Sequence, residues 1–112
     1  MENWDVSWNI KNTLTGWKDT TLIIPKSFQL AGTKWKVKQI TNLPELGRCD
    51  RDHALILLQK EQTEASKEIA ILHEVVHAIR YTMGDGGPHD EKEVDGFAAL
   101  LHQYMITAKW LH

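Results

Sequence analysis

From Thr63 to Gly84 the apolar residues Ala65, Ile69, Leu72, Val76, Ile79 and Met83 recur at helical spacing. That periodicity predicts a long amphipathic helix. Thr63 or Ser66 can cap its start, and Gly84 can stop it, because glycine takes the left-handed conformation that commonly ends a helix. A chain of 112 residues has room for one core, so this helix must form one wall of it.

The rest of the chain is read against that helix. Ser27-Phe28-Gln29-Leu30 alternates polar and apolar residues, Ala31 to Lys34 supply a turn, and Trp35 and Val37 then alternate with Lys34, Lys36 and Lys38. Two alternating runs about a glycine-containing turn predict a β-hairpin, with the lysine face solvated and guarding against edge-to-edge pairing. Residues 42–52 hold Pro44, Gly47 and several polar side chains and read as a loop. His53 to Leu58 is a short, strongly apolar run that reads as a third strand and a candidate sheet edge. After the loop Asp85-Gly86-Gly87-Pro88, Asp90 and Glu93 form a capping-box pattern, with Pro88 a second possible start. Val94, Phe97, Ala98, Leu101 and Met105 give the second helix its apolar stripe. The expectation is an α+β domain spanning 21–112, with about three strands packed on two C-terminal helices. Residues 1–20, with Trp4, Trp8 and Trp17, form an extension that packs as a clasp or offers a contact patch.

Thirteen basic against fifteen acidic residues give a net charge of −2. This excludes a chain held to nucleic acid mainly by counterion release, and no direct nucleic-acid binding is expected. A single cysteine, Cys49, excludes an intramolecular disulfide framework and fits a reducing compartment. No apolar run approaches the roughly 20 residues that span a bilayer. The opening Met-Glu-Asn-Trp-Asp lacks a basic region followed by an apolar stretch. The expected setting is the cytoplasm, with no membrane partner.

The predicted first helix contains His73-Glu74-Val75-Val76-His77. Residues four apart share one helix face, a turn apart. The two imidazoles can therefore grip one metal ion, while Glu74, about 100° round the helix from His73, can reach a water beside it. This is the HExxH arrangement of zinc peptidases. Catalytic zinc takes three protein donors and keeps a fourth position open. The longer pattern with Gly at 80 and His at 83 is absent, since Arg80 and Met83 stand there. The third donor must then come from the second helix or the turn before it, where Glu91, Glu93, Asp95 and His89 compete. Glu91 and Asp95 share a face that overlaps the apolar stripe, whereas Glu93 has its own use in the capping box. Glu91 is assigned as the third metal ligand, favoured in the first helical turn by the helix dipole. Asp95, one turn on, would accept a hydrogen bond from a ligating histidine and fix its tautomer.

Here the sequence resembles a family. His73-Glu74-Val75-Val76-His77 followed by Glu91-Lys92-Glu93-Val94-Asp95-Gly96-Phe97-Ala98 resembles the ImmA/IrrE-type zinc metallopeptidases, small phage-encoded members above all. The stretch Ile24-Pro25-Lys26-Ser27-Phe28, the hairpin and the third strand extend the likeness to roughly residues 24–108. Val94 stands where alanine is usual, and residues 1–20 are extra. The resemblance implies a gluzincin-like core, a small antiparallel sheet on two helices with Zn2+ between them. It also implies peptide-bond hydrolysis, and a protein substrate such as a transcriptional regulator.

The expected chemistry is metal-assisted amide hydrolysis. His73, His77 and Glu91 hold zinc, which activates a water, and Glu74 acts as general base. Tyr81, four residues past His77, is the first choice as donor to the developing oxyanion, ahead of Arg80, His53 and His102. Cys49 has no histidine arrangement that would make it a nucleophile. The alternative reading is a zinc-containing regulatory or protein-binding module with little turnover.

Overall fold

The computed structural model describes residues 23–108. The tryptophan-bearing segment 1–20 lies outside the described residues. The described residues are α+β, a four-stranded sheet followed by two helices.

Strands β1 (Ser27–Leu30) and β2 (Thr33–Ile40) form the expected antiparallel hairpin, with Leu30 opposite Thr33. Ala31 and Gly32 between them have φ of 49° and 84°. That positive pair gives a two-residue turn the twist the flanking strands require. Alternation along β2 buries Trp35 and Val37 and leaves Lys34, Lys36 and Lys38 exposed. Phe28 stacks on Trp35 across the hairpin, with ring centroids 6.1 Å apart.

Three sequence expectations about the sheet need correction. First, the presumed loop at 42–52 contains a fourth strand, β3 (Gly47–Asp50), and a short 3-10 turn, Arg51–His53. Gly47-Arg48-Cys49-Asp50 holds one apolar residue, so it carries no alternation by which a strand could be recognised. Second, the apolar run forms β4 (Leu55–Gln59), which lies inside the sheet: the order is β1-β2-β4-β3. Among the described residues the edges are β1 and β3, and residues 53–58 are not an edge. Third, the sheet is mixed, because β2 and β4 run parallel while both outer pairs are antiparallel. The chain leaves β2, forms β3 at the far side, turns back, and inserts β4 between them. Ile56 and Leu58, on the face of this central strand that joins the helix core, are completely buried, whereas Leu55 and Leu57 on the other face are half-buried.

Helix α1 (Glu64–Thr82) is capped by Thr63, whose Oγ1 accepts from the Ser66 amide at 3.1 Å. It packs on β3 and β4 along one flank and on helix α2 (Glu91–Ala108) along another. That double burial encloses Ala70, Ile71, Leu72, Val76 and Ala78. Two residues assigned to the apolar stripe fall outside it: Ala65 is exposed, and Met83, at the helix cap beyond the last turn, is 79% exposed. On α2 the buried line is Val94, Ala98 and His102. Phe97, one residue and about 100° from Ala98, is 58% exposed rather than core. The helices are also joined by a buried pair, His102 Nε2 to Glu68 Oε1 at 2.8 Å.

Candidate metal centre

The turn between the helices sets the site. Gly84, at φ +95°, follows the cap Met83; its amide donates to the Tyr81 carbonyl and the Asp85 amide donates to the Arg80 carbonyl, at 3.0 and 2.9 Å. These are the two bonds of a Schellman end. Asp90 then opens α2, its Oδ1 accepting from the Lys92 amide at 2.9 Å and the Glu93 amide at 3.4 Å. The Glu93 carboxylate does not complete a capping box: it accepts from Arg80 Nη2 at 3.0 Å and ties the two helices across the turn. With the turn fixed at both ends, the first turn of α2 lies over the histidine face of α1.

His73, His77 and Glu91 come together there. Glu91 Oε1 is 3.0 Å from His73 Nε2, and Glu91 Oε2 is 3.3 Å from His77 Nε2. One donor atom from each of the three lies within 4.8 Å of the others. Donors about 2.0–2.1 Å from a tetrahedral zinc stand roughly 3.4 Å from one another; each histidine nitrogen stands near that separation from one of the two Glu91 oxygens, so the three groups are close enough to hold one ion. The electrostatics agree. Burial holds the His77 pKa below its ordinary value, against the opposing pull of Glu91.

The other acidic and histidine candidates stand around this group. Asp95 Oδ1 lies 2.7 Å from His73 Nδ1, behind the ring and away from Glu91. His89, weighed as an alternative ligand, faces the back of His77, Nδ1 to Nδ1 at 2.7 Å. Glu93 is occupied by Arg80. The sequence assigned Glu91 to the metal, Asp95 to a ligating histidine and Glu93 to the capping box; the structure places Glu91 and Asp95 beside the histidines and pairs Glu93 with Arg80 instead.

Glu74 lies on the sheet side of the histidines, 7% exposed. A Cβ placed on Gly47 would come within 3.0 Å of its Cγ and Oε2. Gly47 thus gives Glu74 its space at the start of the edge strand. Sequence reasoning passed over this residue as loop glycine; nothing in its neighbours marked the close approach. Burial pushes the Glu74 pKa up to about 7, opposed by the attraction of His73 and reinforced by Glu91, Glu45 and Asp95. A carboxyl poised there is matched to proton transfer near neutrality. Cys49, in the same strand, is driven up to about 12 by burial and by the nearby Glu74 and Asp50 carboxylates, so its thiol is inert.

Tyr81 continues the histidine face. Its ring centroid is 6.4 Å from that of His77 and 4.6 Å from that of His89, and the Arg51 guanidinium carbon lies 5.0 Å from the ring centroid. Tyr81 and the end of β3 border a cavity of about 380 Å³. The competing donors are committed elsewhere: Arg80 to Glu93 and Asp85, His53 to Asp50, and His102 to Glu68.

Among the described residues no helix is long and apolar enough to cross a membrane. Comparison with protein-family models, with curated proteins and with solved structures finds no match.

Proposed function

We propose that this chain is a zinc-dependent metallopeptidase. The observation that carries the reading is the convergence of both imidazole Nε2 atoms on the Glu91 carboxylate, with the buried Glu74 carboxyl on the same helix. Two nitrogens and one oxygen make the donor set of a catalytic rather than a closed structural zinc site, leaving one position for substrate or water. Zinc bound there supplies a Lewis acid that polarises the scissile carbonyl and acidifies water. Glu74 takes the proton of the attacking water and returns it to the leaving amine. Asp95 and His89 hold the two imidazoles from behind. Strand β3, paired among the described residues only with β4, offers backbone groups on which an extended peptide can lie beside Glu74. Tyr81 is the proposed donor to the oxyanion.

The resemblance to ImmA/IrrE-type metallopeptidases supports the same reaction. It points to a protein substrate such as a transcriptional regulator, and to a phage or mobile element acting in its host's cytoplasm. The test is hydrolysis of a quenched fluorescent peptide library by zinc-loaded protein. Cleavage that disappears in Glu74→Gln while zinc stays bound is the expected result. Zinc binding with no cleavage in either protein would favour the binding-module reading, and cleavage unaffected by the substitution would contradict the mechanism.

A further inference from the structure

We infer that His89 is a positioning residue that fixes which ring nitrogen of His77 carries the hydrogen, and so aims the other at the metal position. The inference rests on the zinc reading for its effect on affinity; the hydrogen placement follows from the geometry for a singly protonated His89 ring.

The His89 side chain is 0% exposed. Its Nε2 lies 2.9 Å from the backbone carbonyl of Asp85. A carbonyl can only accept, so His89 donates at Nε2. A neutral imidazole that donates at Nε2 keeps a lone pair at Nδ1. That lone pair meets His77 Nδ1 at 2.7 Å, and two lone pairs do not approach so closely. His77 must donate at Nδ1. Its one hydrogen is then used, and its Nε2 is left as a lone pair on the Glu91 side.

The direction of the chain is set by the helix stop. The Asp85 amide is bound to the Arg80 carbonyl in the Schellman end, which ties down the residue whose carbonyl accepts from His89, and the order runs from there through His89 to His77. Tyr81 lies against His89, with ring centroids 4.6 Å apart. The two histidine ligands are thus oriented by different means: His73 by the Asp95 carboxylate, and His77 by a neutral imidazole referred to a backbone carbonyl.

Two readouts test this. Long-range 15N–1H NMR on the metal-free protein assigns the imidazole tautomers directly. His77 is expected as the Nδ1–H form and His89 as the Nε2–H form. In His89→Phe, which keeps a ring but removes the acceptor, His77 should lose its single tautomer. Zinc affinity measured by chelator competition should fall roughly 10–100-fold. His89→Gln, whose side-chain carbonyl can accept the same hydrogen, should recover most of it. An Nε2–H tautomer at His77 in the wild type would overturn the inference, as would unchanged tautomer and affinity in His89→Phe. Zinc coordinated through a His89 nitrogen would overturn it equally. If His89→Phe does not fold, the wild-type spectrum decides alone. If the wild type binds no zinc but shows the expected tautomers, the metal reading fails and the positioning role stands.

Discussion

Asp95 Oδ1 lies 2.7 Å from Nδ1 of His73, on the side of the ring opposite Glu91. The two carboxylates are one helical turn apart on α2 and hold the same imidazole from its two nitrogens. A carboxylate behind a ligating histidine fixes the ring's tautomer and raises its basicity. Asp95→Asn removes the charge and, through its amide, can present a donor where an acceptor is needed. The expected result is roughly 10–100-fold weaker zinc binding in chelator competition, with thermal stability of the metal-free protein little changed. Unchanged affinity would show that His73 needs no such support.

Glu74 gives a pH signature in the metal-free protein. Its carboxyl titrates near 7 in the folded chain, against an ordinary value of 4.5. Between those values the folded state holds a proton that the unfolded state has released. Stability from this group is therefore full below about pH 4.5, falls as pH rises, and is lost above about 7. A shift of this size corresponds to about 3 kcal/mol. Glu74→Gln should be nearly neutral at pH 4 and stabilising by up to that amount at pH 8, read from urea midpoints in the presence of chelator. A difference independent of pH would contradict the burial argument.

Gly47 tests the contact between β3 and the proposed base. In Gly47→Ala the new Cβ would meet Glu74 Cγ and Oε2 at 3.0 Å, so the carboxyl must swing away. Misplacing a catalytic group by about 1 Å can cost on the order of 10²-fold. Peptide hydrolysis should fall by that order while zinc content is unchanged, since the three atoms nearest the new Cβ all belong to Glu74. Full activity in Gly47→Ala would remove Glu74 from the mechanism as drawn.

The pair Glu68 and His102 is structural in this account. Both are buried, and His102 Nδ1 has no hydrogen-bond partner among the described residues. His102→Leu strands the Glu68 carboxyl and should cost about 3–5 kcal/mol in denaturant unfolding. Adding Glu68→Leu should recover much of that loss, because a buried pair replaced by apolar groups is often neutral. Loss of zinc from His102→Leu under folded conditions would instead place His102 in the site.

What the sequence made legible depended on periodicity. The hairpin, the His73–His77 face and the start of α2 at Asp90 follow local rules of spacing and capping, and the structure has them where those rules put them. The proximity of Glu91 to both histidines and of Asp95 to His73 followed from a shared helix face. The misreadings have a common cause in non-local contacts. β3 is polar and short, and only its pairing with β4 makes it a strand. The central place of β4 depends on a crossover that no window of residues encodes. Phe97 and Met83 are apolar yet exposed because neighbours, not composition, decide burial. The roles of Gly47 and His89 arise from contacts across 27 and 12 residues, to Glu74 and His77, beyond the reach of any spacing rule.

The most direct test of the central claim is the zinc content of wild type and Glu91→Ala, expressed and purified identically without chelator. The account predicts one zinc per chain in the wild type and loss of it in Glu91→Ala, with both proteins folded. A wild type that takes up no zinc even when it is supplied, or a Glu91→Ala protein that retains it, would contradict the site formed by His73, His77 and Glu91.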